Sequence, residues 1–329
     1  MTLSRAKRTR EDKVRPAAAT VTPPRRRRRP VRPRLTPYLL VLPAVVFELL
    51  VHVIPMAAGI WMSFVKLTEF FVTDWLAAPF AGLHNYSVAL DFHGPLASEY
   101  LTSFGYTLAF TVLVVGLSFG FGLLVALVLQ RGFRGRGTLR TLFLVPYALP
   151  AYVSIITWKF IFQRDNGLFN QVLSDLHLIG SPRPFWLLGG HAFFVLVLVA
   201  FWQQWPFAFL MTMAGMQSIP EDLYQAAAID GAGTWQQARH VTLGLLKPIN
   251  SVLVLLLFLW TFREFNTPYV LFGAAPPVPA DLLVVHIYST SFVQLNFGLG
   301  SAMSVLLMLF LILCAALWAG WNRRVSRDA

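Results

Sequence analysis

Ser103 to Gln130 reads SFGYTLAFTVLVVGLSFGFGLLVALVLQ, with no Asp, Glu, Lys or Arg at any position. A helix needs about 20 apolar residues to cross roughly 30 Å of hydrocarbon, and this run exceeds that length. In lipid its backbone polar groups must pair with each other, which a helix achieves by itself. Five further apolar runs lie outward from it: Pro37–Ser63, Thr138–Phe162, Gly190–Met216, Leu245–Thr267 and Phe297–Trp321. They predict an all-α integral membrane protein with six transmembrane helices. Composition agrees, since 56% of residues are hydrophobic and only 13% charged, where soluble domains carry about 25%. Mean hydropathy is +0.60.

The net charge of +12 is local. Residues 1–34 hold 13 Lys and Arg against Glu11 and Asp12, leaving the rest of the chain near neutral. Such a Pro- and Arg-rich segment, with Arg25 to Arg29 in a row, cannot bury enough apolar surface to fold alone. It is expected to be a disordered cytoplasmic tail that orients the first span, and attraction to anionic headgroups is compatible with that role. It has neither a folded reader nor interleaved aromatics, so nucleic-acid binding is not expected. The run Pro37–Ser63 is too long for a signal-peptide core and reads as an uncleaved span. The lone cysteine, Cys314, allows no disulfide within the chain.

The connections alternate in character. Arg131, Arg134, Arg136 and Arg140 follow the second run, and Arg323, Arg324 and Arg327 end the chain. The loops around 66–100, 164–188 and 268–296 are poor in basic residues. Six spans put all basic segments on one side, cytoplasmic by the positive-inside rule, with both termini there. Pro146 and Pro150 share one run beside Tyr147 and Tyr152, which predicts a bent helix lining a cavity.

The loop between the fourth and fifth runs, 217–249, reads QSIPEDLYQAAAIDGAGTWQQARHVTLGLLKPI. Ser218, Pro220 and Glu221 have the spacing of a helix N-terminus closed by a capping box. The helix should run to about Asp230, with Gly231 stopping it in a left-handed conformation. A second helical stretch, Thr234 to Thr242, leads back to the membrane. The first helix carries small and apolar residues but has no core of its own. It must pack either on its own bundle or on a partner.

Tyr224-Gln225-Ala226-Ala227-Ala228-Ile229-Asp230-Gly231-Ala232, followed by Trp235, Thr242-Leu243 and Leu246-Lys247-Pro248, resembles the EAA loop of binding-protein-dependent ATP-binding-cassette (ABC) importer permeases. The resemblance spans residues 35–325. It includes Thr36-Pro37-Tyr38-Leu39-Leu40-Val41-Leu42-Pro43, Gly82-Leu83-His84-Asn85-Tyr86, Arg134-Gly135-Arg136, Leu144-Val145-Pro146, Gly215-Met216-Gln217-Ser218-Ile219-Pro220 and Tyr269-Val270-Leu271. The whole resembles the first of the two paired permeases in the maltose/trehalose/glycerol-phosphate class.

That resemblance implies a permease subunit of a bacterial cytoplasmic-membrane importer. Its implied partners are a second permease, two copies of an ABC ATPase and an extracytoplasmic sugar-binding protein or lipoprotein, with a sugar as substrate. The loop is then a coupling helix docking on the ATPase through Glu221, Asp222, Tyr224, Gln225, Ala226, Ala227, Ala228, Ile229, Asp230 and Gly231. Gln225 stands where the family has glutamate, and Gly244 where it has proline. None of the five lysines follows glycine, so no phosphate-binding GxxxxGK[ST] loop exists. ATP and Mg are expected on the partner ATPases, with no cofactor or metal on this chain and no catalytic residue in it.

Polar groups at membrane depth are costly and face cavities or partners. Glu48 and His52 lie one turn apart, as a pair or as a packing element. Tyr147, Gln203, Gln204, Glu264 and Asn266 combine aromatic faces with amide and carboxylate hydrogen bonding, the chemistry a sugar needs, and are the candidates for the passage. Trp202 and Trp205 flank the glutamines, and Arg263 with Glu264 also reads as a plain ion pair. A glycerol-phosphate permease is one alternative and an ion-coupled secondary transporter another. The latter should show inverted repeats and buried proton-relay acids, and neither is evident.

Overall fold

The computed structural model describes residues 36–91, 93–130 and 132–325. The predicted tail over 1–34, with Arg131 and Arg327 of the basic connections, lies outside them. Among the described residues the regular structure is helical, apart from one isolated bridge between Val65 and Phe80.

The chain divides at Ile54/Pro55 into two units. The first holds α1 (Thr36–Glu48) and a π-turn over Leu49–Val53. Glu48 and His52 pair across that turn at 3.2 Å, as their four-residue spacing predicts. The side chains from Pro37 to Ile54 are exposed. A helix apolar on every side needs lipid or another chain as its solvent.

α2 (Ile54–Met62) leads into the second unit. α3 (His84–Ala89) is short, and its Asn85 explains part of the Gly82–Tyr86 motif. The buried Asn85 amide donates to the Ser63 and Val65 carbonyls at 3.0 and 2.9 Å, and Tyr86 Oη lies 2.6 Å from Ser63 Oγ. The motif thus clamps the segment that follows the first apolar run.

α4 (Pro95–Gln130) is the spine. It begins eight residues before the run that predicted it, because Tyr100 and Ala97 are buried against other helices rather than left in a loop. α9 (His191–Gln217) packs along it. At their crossing a Cβ on Gly122 would sit 2.7 Å from Phe209 N and 2.8 Å from Ala208 Cβ, so only glycine lets the two backbones meet. Phe110, Val114, Val195 and Val199 fill one core layer between them, and Ala126, Leu129, Phe209 and Leu246 another.

The third predicted span is not one helix. It is α5 (Arg136–Phe143), α6 (Val145–Ala148) and α7 (Ala151–Ile161). Leu149 is extended at φ −77°, ψ 140°, and Pro150 follows at ψ 131°. Proline pushes the residue before it out of the helical region and offers no N–H of its own, so the bend predicted from the two prolines is a break. α8 (Leu168–Asp175) follows.

The fifth run is longer than predicted and also interrupted. After α10 (Glu221–Ile229), α11 (Thr234–Gln236) passes through a π-turn over Gln237–Thr242 into α12 (Leu243–Phe262). Arg263 leaves helical geometry, and α13 (Asn266–Phe272) starts anew. The Glu264 carboxylate caps it, accepting from Thr267 N at 2.9 Å and Thr267 Oγ1 at 3.0 Å. α14 (Leu283–Tyr288) and α15 (Phe297–Val325) complete the chain. Five helical segments are long and apolar enough to cross a membrane: Pro37–Met62, Pro95–Gln130, His191–Gln217, Thr234–Phe272 and Phe297–Arg323. The remaining predicted crossing, the third, is the broken α5–α7 segment, in which Ala151–Ile161 is a shorter apolar helix.

Candidate functional site

The loop quoted above folds as a helix at one end of the bundle. α9 closes with Ser218, whose Oγ donates to the Gly215 carbonyl at 2.7 Å. That hydroxyl is therefore spent on the preceding helix, and the predicted capping box does not form. α10 begins instead after Pro220, whose extended ψ of 136° ends one helix and starts the next. The predicted stop is present in full. Gly231 sits at φ +80°, its N–H reaches the Ala228 carbonyl at 3.1 Å, and Ala232 N–H reaches Ala227 at 2.9 Å. This pair of bonds is the Schellman arrangement, which requires a left-handed residue that glycine supplies without strain.

The predicted docking residues divide by face. Glu221, Asp222, Gln225, Ala226, Ala228, Ile229, Asp230 and Gly231 are exposed, and Ile229 is 86% exposed. Tyr224 and Ala227 turn inward. The Tyr224 hydroxyl accepts from Gln130 Nε2 at 3.1 Å and lies 3.0 Å from the buried Thr242 Oγ1. Between α10 and the ends of α4 and α9 lies an open cleft of about 550 Å³ lined by Leu127, Met216, Ile219, Tyr224, Trp235 and Thr242. Trp235, 71% exposed, extends the apolar surface of α10 and is missing from the predicted docking set. Its aromatic ring in a polar loop was the available signal.

The other predicted cluster lies along α9 and the two interrupted segments. Gln204 Oε1 accepts from Thr261 Oγ1 at 2.8 Å, tying α9 to α12. Gln203 Nε2 is buried with no hydrogen-bond partner. Tyr147, half exposed on α6, faces Phe207 with ring centroids 6.0 Å apart, and Phe207 meets Trp260 at 5.0 Å. Phe207 lies one helical turn beyond Gln203, so the two share a side of α9, and Tyr147 of α6 meets Phe207 there. Asn266 Oδ1 accepts from Tyr152 Oη at 2.9 Å, joining α13 to α7. Glu264 is taken up by the Thr267 cap described above. Among the described residues it makes no ion pair with Arg263.

Tyr147, Gln203 and Gln204 thus lie where α9 meets α6 and α12, whereas Asn266 joins α13 to α7 and Glu264 caps α13. Phe207, Trp260 and Thr261 lie beside the first three and were not predicted, while Tyr152, expected on the bent helix beside Tyr147, meets Asn266. A helix-period reading from Gln203 would have reached Phe207; Trp260 and Thr261 depend on which helices become neighbours.

A third polar cluster, at the far end of α4, is structural. Asp281 Oδ2 accepts from Ser103 Oγ and meets His286 Nδ1, both at 2.8 Å, while Leu283 N–H donates to Thr107 at 2.7 Å. The serine and the imidazole meet the same carboxylate oxygen, and the arrangement anchors the 280s loop to α4.

Residues 118–327 match the family described as binding-protein-dependent transport system inner membrane component. The trehalose/maltose transport system permease protein MalF of Thermococcus litoralis is 34% identical over 277 residues, covering 82% of this chain and 87% of the relative. The sn-glycerol-3-phosphate transport system permease protein UgpA of Agrobacterium fabrum is 31% identical, covering 86% of this chain and 93% of the relative. A chain from the crystal structure of a bacterial ABC transporter that imports the acidic polysaccharide alginate superposes with a TM-score of 0.76 at 19% identity, over 88% of this chain and 96% of that one.

Proposed function

Because this chain belongs to the family of binding-protein-dependent transport system inner membrane components, we propose that it is a carbohydrate-importing permease of the bacterial cytoplasmic membrane. In this reading it pairs with a second permease, receives solute from an extracytoplasmic binding protein, and is driven by two ABC ATPase subunits that hold the ATP and Mg. Residues 35–325 form the transmembrane domain, with the third crossing made by the broken α5–α7 segment. Both termini and the 217–249 loop lie in the cytoplasm.

The observation that carries the proposal is the outer face of α10. Glu221, Gln225, Ala228 and Asp222, Ala226, Ile229 are exposed on a nine-residue helix with a defined stop and no core of its own. Isolated helices of this length are unstable in water, so its exposed apolar side chains call for a partner. The ATPase subunit fits that need, and Trp235 widens the surface. Glu221, one turn before Gln225, supplies a carboxylate on the same side of the helix.

Co-purification from membranes tests it. An ATP-hydrolysing subunit should accompany the wild-type chain, and replacing Ala226 and Ala228 together by Trp should release it. Retention of the ATPase by that variant overturns the proposal.

For the solute, uncharged polar groups support a neutral sugar such as trehalose, maltose or an oligosaccharide. Tyr147, Gln203, Gln204 and Asn266 offer amides and an aromatic face, and the unpartnered Gln203 Nε2 gains a hydrogen bond when a hydroxyl arrives. Glu264 is the weakest of the five, since its carboxylate is engaged in the α13 cap. The exposed Arg263 at the end of α12 favours the second reading, a glycerol phosphate. Uptake of labelled trehalose, maltose and glycerol 3-phosphate separates them. Alanine variants of Tyr147, Gln203, Gln204 and Asn266 should lower uptake; wild-type uptake in all four removes this passage.

A further inference from the structure

The side chains of α10 are unequal in one respect. Glu221, Asp222 and Gln225 are exposed, and among the described residues none of the three makes a side-chain hydrogen bond. Tyr224 alone on this helix bonds elsewhere with its side chain. Its hydroxyl accepts a hydrogen bond from Gln130 Nε2, at the last residue of α4, and is left free to donate to Thr242 Oγ1, at the end of the π-turn that opens α12. One oxygen therefore joins three elements, with both of its hydrogen-bonding roles used.

The connection goes one step further. Arg140 Nη2 donates to the Leu129 carbonyl at 2.7 Å, so α5 grips the end of α4 one residue before Gln130. α5 begins the broken segment that carries Tyr147. From α10, a path of hydrogen bonds thus reaches α4, α12 and α5, and each of those helices touches the predicted passage or leads to it. The cleft of about 550 Å³ surrounds this link, so on that side α10 is held off the bundle by space and Tyr224 spans the gap. Besides its backbone links to α9 and α11 and its packing on the π-turn, the bridge across the cleft is a direct connection between α10 and the ends of α4 and α12.

We propose that Tyr224 is the strut that makes α10 and the ends of α4 and α12 move as one body, and is not a residue that docks on the ATPase. The proposal rests on the function given above and names how the same loop transmits force. Tyr224 is a positioning residue in this sense. It touches neither nucleotide nor solute, and acts by fixing the geometry between the surface that docks and the helices that move.

The test uses the assembled complex. Cys314 is replaced by Ser, and spin labels are placed at Leu223→Cys on α10 and Val128→Cys on α4, both exposed positions outside the predicted docking set. Pulsed EPR distances are measured without nucleotide and with ATP plus vanadate. In the parent the distance should stay constant between the two conditions, because the strut carries both labels together. In Tyr224→Phe it should broaden or shift with nucleotide, and Thr242→Val should do the same. Combining the two should be no worse than Tyr224→Phe alone, since both remove one shared bond.

Transport per ATP hydrolysed should fall about tenfold in Tyr224→Phe, the size expected from losing two hydrogen bonds at a moving joint. A merely structural loss would lower transport and hydrolysis together and leave the ratio intact. A constant label distance in Tyr224→Phe overturns the strut, as does an unchanged ratio. Release of the ATPase by that variant also overturns it, making Tyr224 a docking residue. If the parent itself recovers no ATPase, the proposed function fails, and the strut with it.

Discussion

At the scale of single residues, the structure separates groups that hold conformation from groups that meet something else. Gly231 holds conformation. Its φ of +80° closes α10, and an added Cβ meets no neighbour, so the cost of substitution is purely one of backbone strain. Gly231→Ala should cost about 1 kcal/mol of local stability. Hydrogen exchange should show the last turn of α10 opening faster while the bundle is unchanged. Asn85 holds conformation more expensively. Replacing it by Ala leaves two buried carbonyls, of Ser63 and Val65, without donors. Asn85→Ala should lower stability by about 1–3 kcal/mol, read as a fall in melting temperature in detergent. Gln203 is the opposite case, a buried amide nitrogen with no hydrogen-bond partner among the described residues, and the proposed passage would give it one.

At the scale of elements, the interruptions matter more than the long helices. α6 and α7 are parted by Leu149 and Pro150, and α12 and α13 by Arg263 and the Glu264 cap. Both breaks lie beside the predicted passage, and Tyr152 with Asn266 joins the segments that follow them. Irregular backbone at membrane depth is tolerated where it lines a cavity or is buried in protein. Pro150→Ala restores the missing N–H and relieves Leu149, so α6 and α7 should fuse into one helix. The expected outcome is intact complex with at least a few-fold lower uptake. Unchanged uptake would mean that the break serves packing alone. The π-turn over Gln237–Thr242 is a third interruption, and Thr242, its last residue, is the one that receives Tyr224.

At the scale of the whole molecule, α4 with α9 is the frame on which the rest is hung. Their contact at Gly122 is backbone on side chain and backbone on backbone, with no room for a methyl group. Gly122→Ala should push the two helices apart and cost about 1–3 kcal/mol by overpacking. The loss should appear as reduced folded yield in membranes and a lower melting temperature, and Gly116→Ala on the same helix, where a Cβ meets nothing, is the matched control. The first unit stands differently: α1 is apolar and its described side chains are exposed along the helix.

Most of the fold was legible without coordinates because lipid imposes a one-dimensional rule. A chain must satisfy its backbone within each crossing, so length and apolarity alone locate helices. That rule found α4, α9, α12 and α15, and the left-handed stop at Gly231 followed from a local need that only glycine meets cheaply. The rule failed where the outcome depended on a neighbour. Ser218 was expected to start α10 and instead finishes α9, because one hydroxyl had two suitors and the preceding helix claimed it. The family resemblance implied Tyr224 among the docking residues; its hydroxyl points toward the bundle, because Gln130 and Thr242, on other elements, arrive within hydrogen-bond reach. The sequence by itself determined that this is a lipid-spanning helical chain with a short loop helix stopped at Gly231, since those are consequences of local chemistry. Which side of that helix faces the bundle, and which polar groups meet across it, was decided only by tertiary structure, because hydrogen bonds between distant residues exist only once packing has brought their partners together.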